Sequence, residues 1–154
     1  MDTKTRKTEI DLVTLGTGMI FFGAWTFIKL ILTTLLYDTE LFKDLPDVVT
    51  AIVYIIIFYI AGIAFLIHFY IGMSARAEGK GKRKTVIYII LTGVIIFLGV
   101  PELTAEAYLL FTENHSLLHI IVTLIIEVTS LVITLELFVN AIRLRRLRKK
   151  EAQA

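Results

Sequence analysis

No cysteine occurs in the 154 residues, which removes disulfide scaffolding, thiolate metal sites and thiol catalysis together. Charge is scarce as well. Asp, Glu, Lys and Arg make up 19% of the chain, against about a quarter in a soluble domain. With only two prolines, Pro46 and Pro101, little interrupts long helices. Nucleophile elbows, phosphate-cradling glycine loops, metalloprotease helices and intramembrane aspartate pairs are all missing. The expectation is therefore a protein that is not an enzyme.

What is present is apolar sequence: 56% of the residues are hydrophobic and the mean hydropathy is +0.79. A soluble domain of this length has too little interior to hide so much. The excess lies in four runs, spanning about 10–36, 48–73, 85–104 and 117–142, with a basic tail over 143–154. This predicts an all-α fold. The expected protein is a polytopic membrane protein of one domain, residues 1–154, with four transmembrane helices in an antiparallel up-down-up-down bundle. The first run, Ile10–Tyr37, is too long for a signal-peptide core and lacks a small-residue cleavage site, so it reads as a retained span.

Local signals refine the picture. Thr8 suits the cap of the first helix and Pro46 the first turn of the second. Ser74–Lys84, with Gly79 and Gly81 among bases, reads as a flexible, solvated loop. Pro101 is expected to kink the third helix or to end its membrane part, with Glu102–Phe111 continuing as an amphipathic helix. Leu144 and Leu147 suggest a short amphipathic extension lying on the lipid surface. Gly16, Gly18, Gly23, Ala61, Gly62, Ala64, Gly93 and Gly99 are candidates for close helix approach, or ordinary membrane-helix glycine usage.

Fourteen of the sixteen Lys and Arg residues fall in three blocks, Lys4–Lys7, Arg76–Lys84 and Arg143–Lys150. The intervening links carry Asp38, Glu40, Asp44, Asp47, Glu102, Glu106 and Glu113. Basic loops stay inside on insertion, which predicts a multi-pass cell-membrane protein with cytoplasmic N- and C-termini. A bacterial or archaeal plasma membrane suits so compact a chain. Partners expected from this pattern are the lipid bilayer and anionic headgroups at the basic loop and tail. Nucleic acid is not expected, because no aromatics interleave with the bases.

Lys29, Glu127 and Glu136 lie well inside the spans and are the costly residues. A charge at mid-helix costs roughly 2.5–3.5 kcal/mol on insertion scales, so each wants a partner, a proton or water. Lys29 and Glu127 fall at similar depth on antiparallel helices, which makes them a candidate charge pair or ion pathway. The alternative has Lys29 snorkelling to the outer headgroups and Glu127 protonated. Glu136 lies about 180° around the helix from Glu127, on a stripe with Thr129 and Asn140. Two opposed polar stripes require two sheltered flanks, so the second faces a partner, either a copy of the chain or another membrane protein. Local snorkelling of Glu136 toward the basic tail is the alternative.

At the outer rim Glu102 and Glu106 are four apart, as are His115 and His119, a donor set able to hold a divalent metal. No other cofactor is expected. His68 lies near the basic end of its helix and shares no depth with His115 or His119, so a bis-histidine haem within one chain is not expected. Three functions compete: a non-catalytic oligomeric subunit, sensor or regulator; a proton- or cation-coupled transporter or channel using Glu127 and Lys29; and, remotely, a membrane enzyme with an outer-rim metal.

Overall fold

The computed structural model describes residues 3–41, 46–82, 85–112 and 117–153. Four helices account for nearly all of them: α1 (Thr3–Leu41), α2 (Asp47–Gly79), α3 (Ile87–Thr112) and α4 (Leu117–Glu151). Each contains a stretch long and apolar enough to cross a membrane. Large apolar side chains point outward on every helix, among them Phe21, Ile55, Phe97 and Ile125. Exposure of this kind is costly in water and natural in hydrocarbon.

Neighbouring helices run in opposite directions. Gly16 faces Gly72 and Gly79 faces Glu9 between α1 and α2, while Gly93 faces Phe138 and Gly99 faces Leu131 between α3 and α4. Thr5 meets Glu151 and Lys29 meets Glu127 between α1 and α4. Because apolar drive is weak in lipid, the closest packing uses small residues. A Cβ built on Gly16 would stand 2.7 Å from the carbonyl of Gly72, and one on Gly72 would stand 2.5 Å from that of Gly16. Gly79 is equally confined, 2.8 Å from the carbonyl of Glu9. Gly16 and Gly23 are seven apart, as are Gly72 and Gly79, and that spacing returns each pair to the same face of its helix. Gly62 has open space around it and plays no such part.

Among the described residues the buried apolar cluster is Leu12, Met19, Ile71, Ala75, Tyr88, Leu137, Ala141 and Leu144, which lie in the half of the bundle that carries the α1 start and the α4 end. Threonine hydroxyls inside the helices bond back one turn, as in Thr92 to Tyr88 (2.6 Å) and Thr134 to Ser130 (2.8 Å). They therefore impose little cost on a lipid-facing or packed surface.

Three local expectations change and one is met. α1 begins at Thr3, and the Thr8 hydroxyl donates to the carbonyl of Lys4 instead of capping. Residues 74–79, expected as flexible loop, continue α2; the turn comes at Gly81, with φ 74°. Its amide donates to Glu78 and that of Lys82 to Ala77, the paired bonds of a Schellman ending. The helical continuation expected after Pro101 is present, since α3 runs through it to Thr112. The tail does not lie on the lipid surface: α4 continues to Glu151 with Leu144 wholly buried, because Arg145 and Arg148 tie it into the bundle.

Candidate functional site

Two charged loci and the exposed carboxylate of Glu136 stand out in this packing. The first locus joins all four helices at the basic end. Glu78, wholly buried, receives two hydrogen bonds from Arg145, Nε to Oε1 and Nη2 to Oε2, both 2.8 Å. This parallel fork is the strongest geometry available to a guanidinium and a carboxylate. Arg145 also donates to the carbonyl of Thr85 at 2.5 Å, and its guanidinium lies 5.9 Å from the ring centroid of Tyr88. Arg148 donates to Glu9 at 2.7 Å and to the carbonyl of Glu78 at 3.0 Å. Glu9 on α1, Glu78 on α2, Tyr88 on α3 and the two arginines on α4 thus form one network. The Tyr88 hydroxyl, fully buried beside it, has no hydrogen-bond partner among the described residues.

None of these five residues stood out in the sequence as a site residue. Glu78 was hidden in a basic run, and its partners lie 67 and 70 residues away in the chain. One signal was available: Glu78 is the single acid between Arg76 and Lys84. A lone carboxylate in a cationic run is a candidate for internal pairing.

The second locus is Lys29 and Glu127, with Nζ to Oε1 at 3.0 Å. The structure brings these two expected site residues together. Their side chains are 38% and 28% exposed in the single chain, so the pair sits on the flank of the α1–α4 seam. Eighteen residues of α4 separate Glu127 from Arg145, about 27 Å, close to the thickness of a hydrocarbon core.

Glu136 is the third feature. It lies nine residues from both Glu127 and Arg145 on α4, about 13 Å from each, and its residue is exposed. Among the described residues its carboxylate has no partner. The other two members of its stripe are less demanding. Thr129 is exposed, but its hydroxyl donates to Ile125 at 2.6 Å, and Asn140 donates to the backbone carbonyl of Glu136 at 2.9 Å. On the opposite face Thr123 and Thr134 are buried, so α4 presents one packed side and one open side.

The outer-rim metal donors are not brought into view: His115 and the side chains of Glu102, Glu106 and His119 lie outside the described residues. Among the described residues no group of three metal-ligating side chains occurs. His68 packs its Cβ against Gly23, and its Nδ1 lies 2.8 Å from the carbonyl of Ala64. No protein-family model, curated protein or solved structure matches the chain.

Proposed function

We propose that this chain is a non-catalytic, multi-pass subunit of a cell-membrane assembly, a sensor or regulator, with both termini cytoplasmic. The charge blocks support the orientation, because Lys4–Lys7, Arg76–Lys82 and the basic end of α4 converge at one end of the bundle. One observation carries the subunit role: the Glu136 carboxylate stands exposed on α4 with no partner among the described residues. Arg143 opens the α4 basic block, and Glu136 lies seven residues, about 10 Å, from it on the lipid side. Hydrocarbon does not shelter an ionised carboxylate, and even a protonated one keeps an unused donor and acceptor there. Exposed Val132 and Val139 flank it, giving the apolar surround of a contact centred on one polar group. A second membrane helix offering a donor at this depth, from another copy or another protein, satisfies it.

Photo-crosslinking from positions 132 and 139 in native membranes tests the reading. Protein adducts are expected, and Glu136→Leu should weaken association roughly tenfold, corresponding to 1–2 kcal/mol for an interhelical polar contact. Adducts to lipid alone, with Glu136→Leu leaving association unchanged, sink it.

A second reading, proton- or cation-coupled transport, is favoured by the accessibility of the Lys29–Glu127 pair. A carrying carboxylate must be reachable and must have a countercharge that holds it ionised when empty. Under this reading Glu127→Gln abolishes pH-driven cation uptake into proteoliposomes while leaving assembly intact. Unchanged uptake discards it.

A further inference from the structure

Beside the Gly79–Glu9 contact, an open groove of about 390 Å³ lies between α1 and α2 at the basic end. Arg6, Glu9, Ile10, Val13, Thr14 and Lys80 form its walls. Its cations and its anion differ in one respect that decides its character. Glu9 is spent on Arg148 at 2.7 Å, whereas Arg6 and Lys80 have no partner among the described residues. Among the described residues the groove therefore offers two uncommitted cations and no uncommitted carboxylate.

The α2 ending reinforces this. A helix C-terminus ordinarily repels anions through its free carbonyls. Here the carbonyls of Arg76, Ala77 and Glu78 accept from Lys80, Lys82 and Gly81, and Arg148 donates to Glu78 as well. Across the groove, Arg6 lies in the opening turns of α1, the positive end of that helix dipole. Below the cations the lining turns apolar. Ile10 is 59% exposed, and the Thr14 hydroxyl is occupied by the carbonyl of Ile10. A charged mouth over an apolar wall at a membrane rim matches a molecule with an anionic head and a hydrocarbon tail.

We propose that this groove binds a phosphate-bearing anion, supplied by an anionic phospholipid of the basic-side leaflet, with Arg6 and Lys80 taking the phosphate and Ile10 and Val13 taking the start of an acyl chain. The proposal rests on the membrane placement and orientation given above and is independent of the subunit role.

The test uses the full chain reconstituted in phosphatidylcholine vesicles. Trp25, the single tryptophan, is replaced by Phe, and Ile10→Trp supplies a reporter at an exposed groove position. Brominated phosphatidylglycerol at a small mole fraction is expected to quench this reporter several-fold more than equally brominated phosphatidylcholine. Arg6→Gln with Lys80→Gln should abolish the preference, whereas Arg146→Gln with Lys149→Gln, the same charge removed elsewhere on the rim, should preserve it. Retention of phosphatidylglycerol by the otherwise unmodified chain in native mass spectrometry, lost in the Arg6/Lys80 variant, provides a reading free of the reporter. Equal quenching by both lipids, or equal loss in both charge variants, overturns the site. Displacement by millimolar glycerol phosphate upholds the phosphate chemistry and overturns the lipid source. Absence of quenching by either lipid strikes at the membrane placement itself.

Discussion

Arg145→Met should destabilise the protein by about 3 kcal/mol, the low end of what removing one partner of a buried ion pair costs. Arg145 supplies both hydrogen bonds to the Glu78 carboxylate, and Glu78 has no solvent exposure of its own. Without the guanidinium, Glu78 must accept a proton or draw water into the basic end. The substitution would also leave the Thr85 carbonyl without its 2.5 Å donor and remove the cation beside the Tyr88 ring. The loss should appear as a lower midpoint in thermal or denaturant unfolding in mild detergent. The double variant Glu78→Leu/Arg145→Met should recover much of it, because two apolar side chains of similar volume leave no uncompensated charge. If Arg145→Met unfolds with the parent, or the double variant is worse than both singles combined, the network does not hold the helices together.

Gly72→Ala is expected to cost about 1–3 kcal/mol, although alanine is ordinarily the better helix former. Its methyl group would stand 2.5 Å from the Gly16 carbonyl and 2.5 Å from Ile20 Cγ1. Ile20 can move; the backbone of α1 cannot without opening the seam. Gly72→Leu should separate α1 from α2 outright. Gly62→Ala is the internal comparison, since nothing lies within 4 Å of the added carbon. There the helix-propensity gain of roughly 0.5–1 kcal/mol should prevail. Opposite signs at positions 72 and 62, read by the same unfolding assay, would establish the seam. Equal effects would refute it.

Several features were legible from residue order alone, and others were not, for reasons visible at particular positions. Lys29 and Glu127 could be paired on paper because antiparallel helices of known rise align them, and the structure places them 3.0 Å apart. Glu78 could not, since its fate depends on an arginine 67 residues away whose helix phase no local pattern encodes. The tail shows the same limit. Leu144 and Leu147 fit an amphipathic helix on lipid as well as one inside a bundle, and only the acceptors Glu78 and Glu9 select the bundle. Thr129 shares the Glu136 stripe, but its hydroxyl is satisfied by the Ile125 carbonyl within its own helix.

Sequence alone determined four long apolar helices and the exclusion of thiol chemistry, because hydrocarbon thickness and composition are one-dimensional constraints. Tertiary structure alone decided which charges are already spent, which glycines are contacts and which carboxylate remains open on α4. Those outcomes depend on helix phase and on neighbours far away in the chain, and pairing energies of a few kcal/mol settle them only when the helices meet.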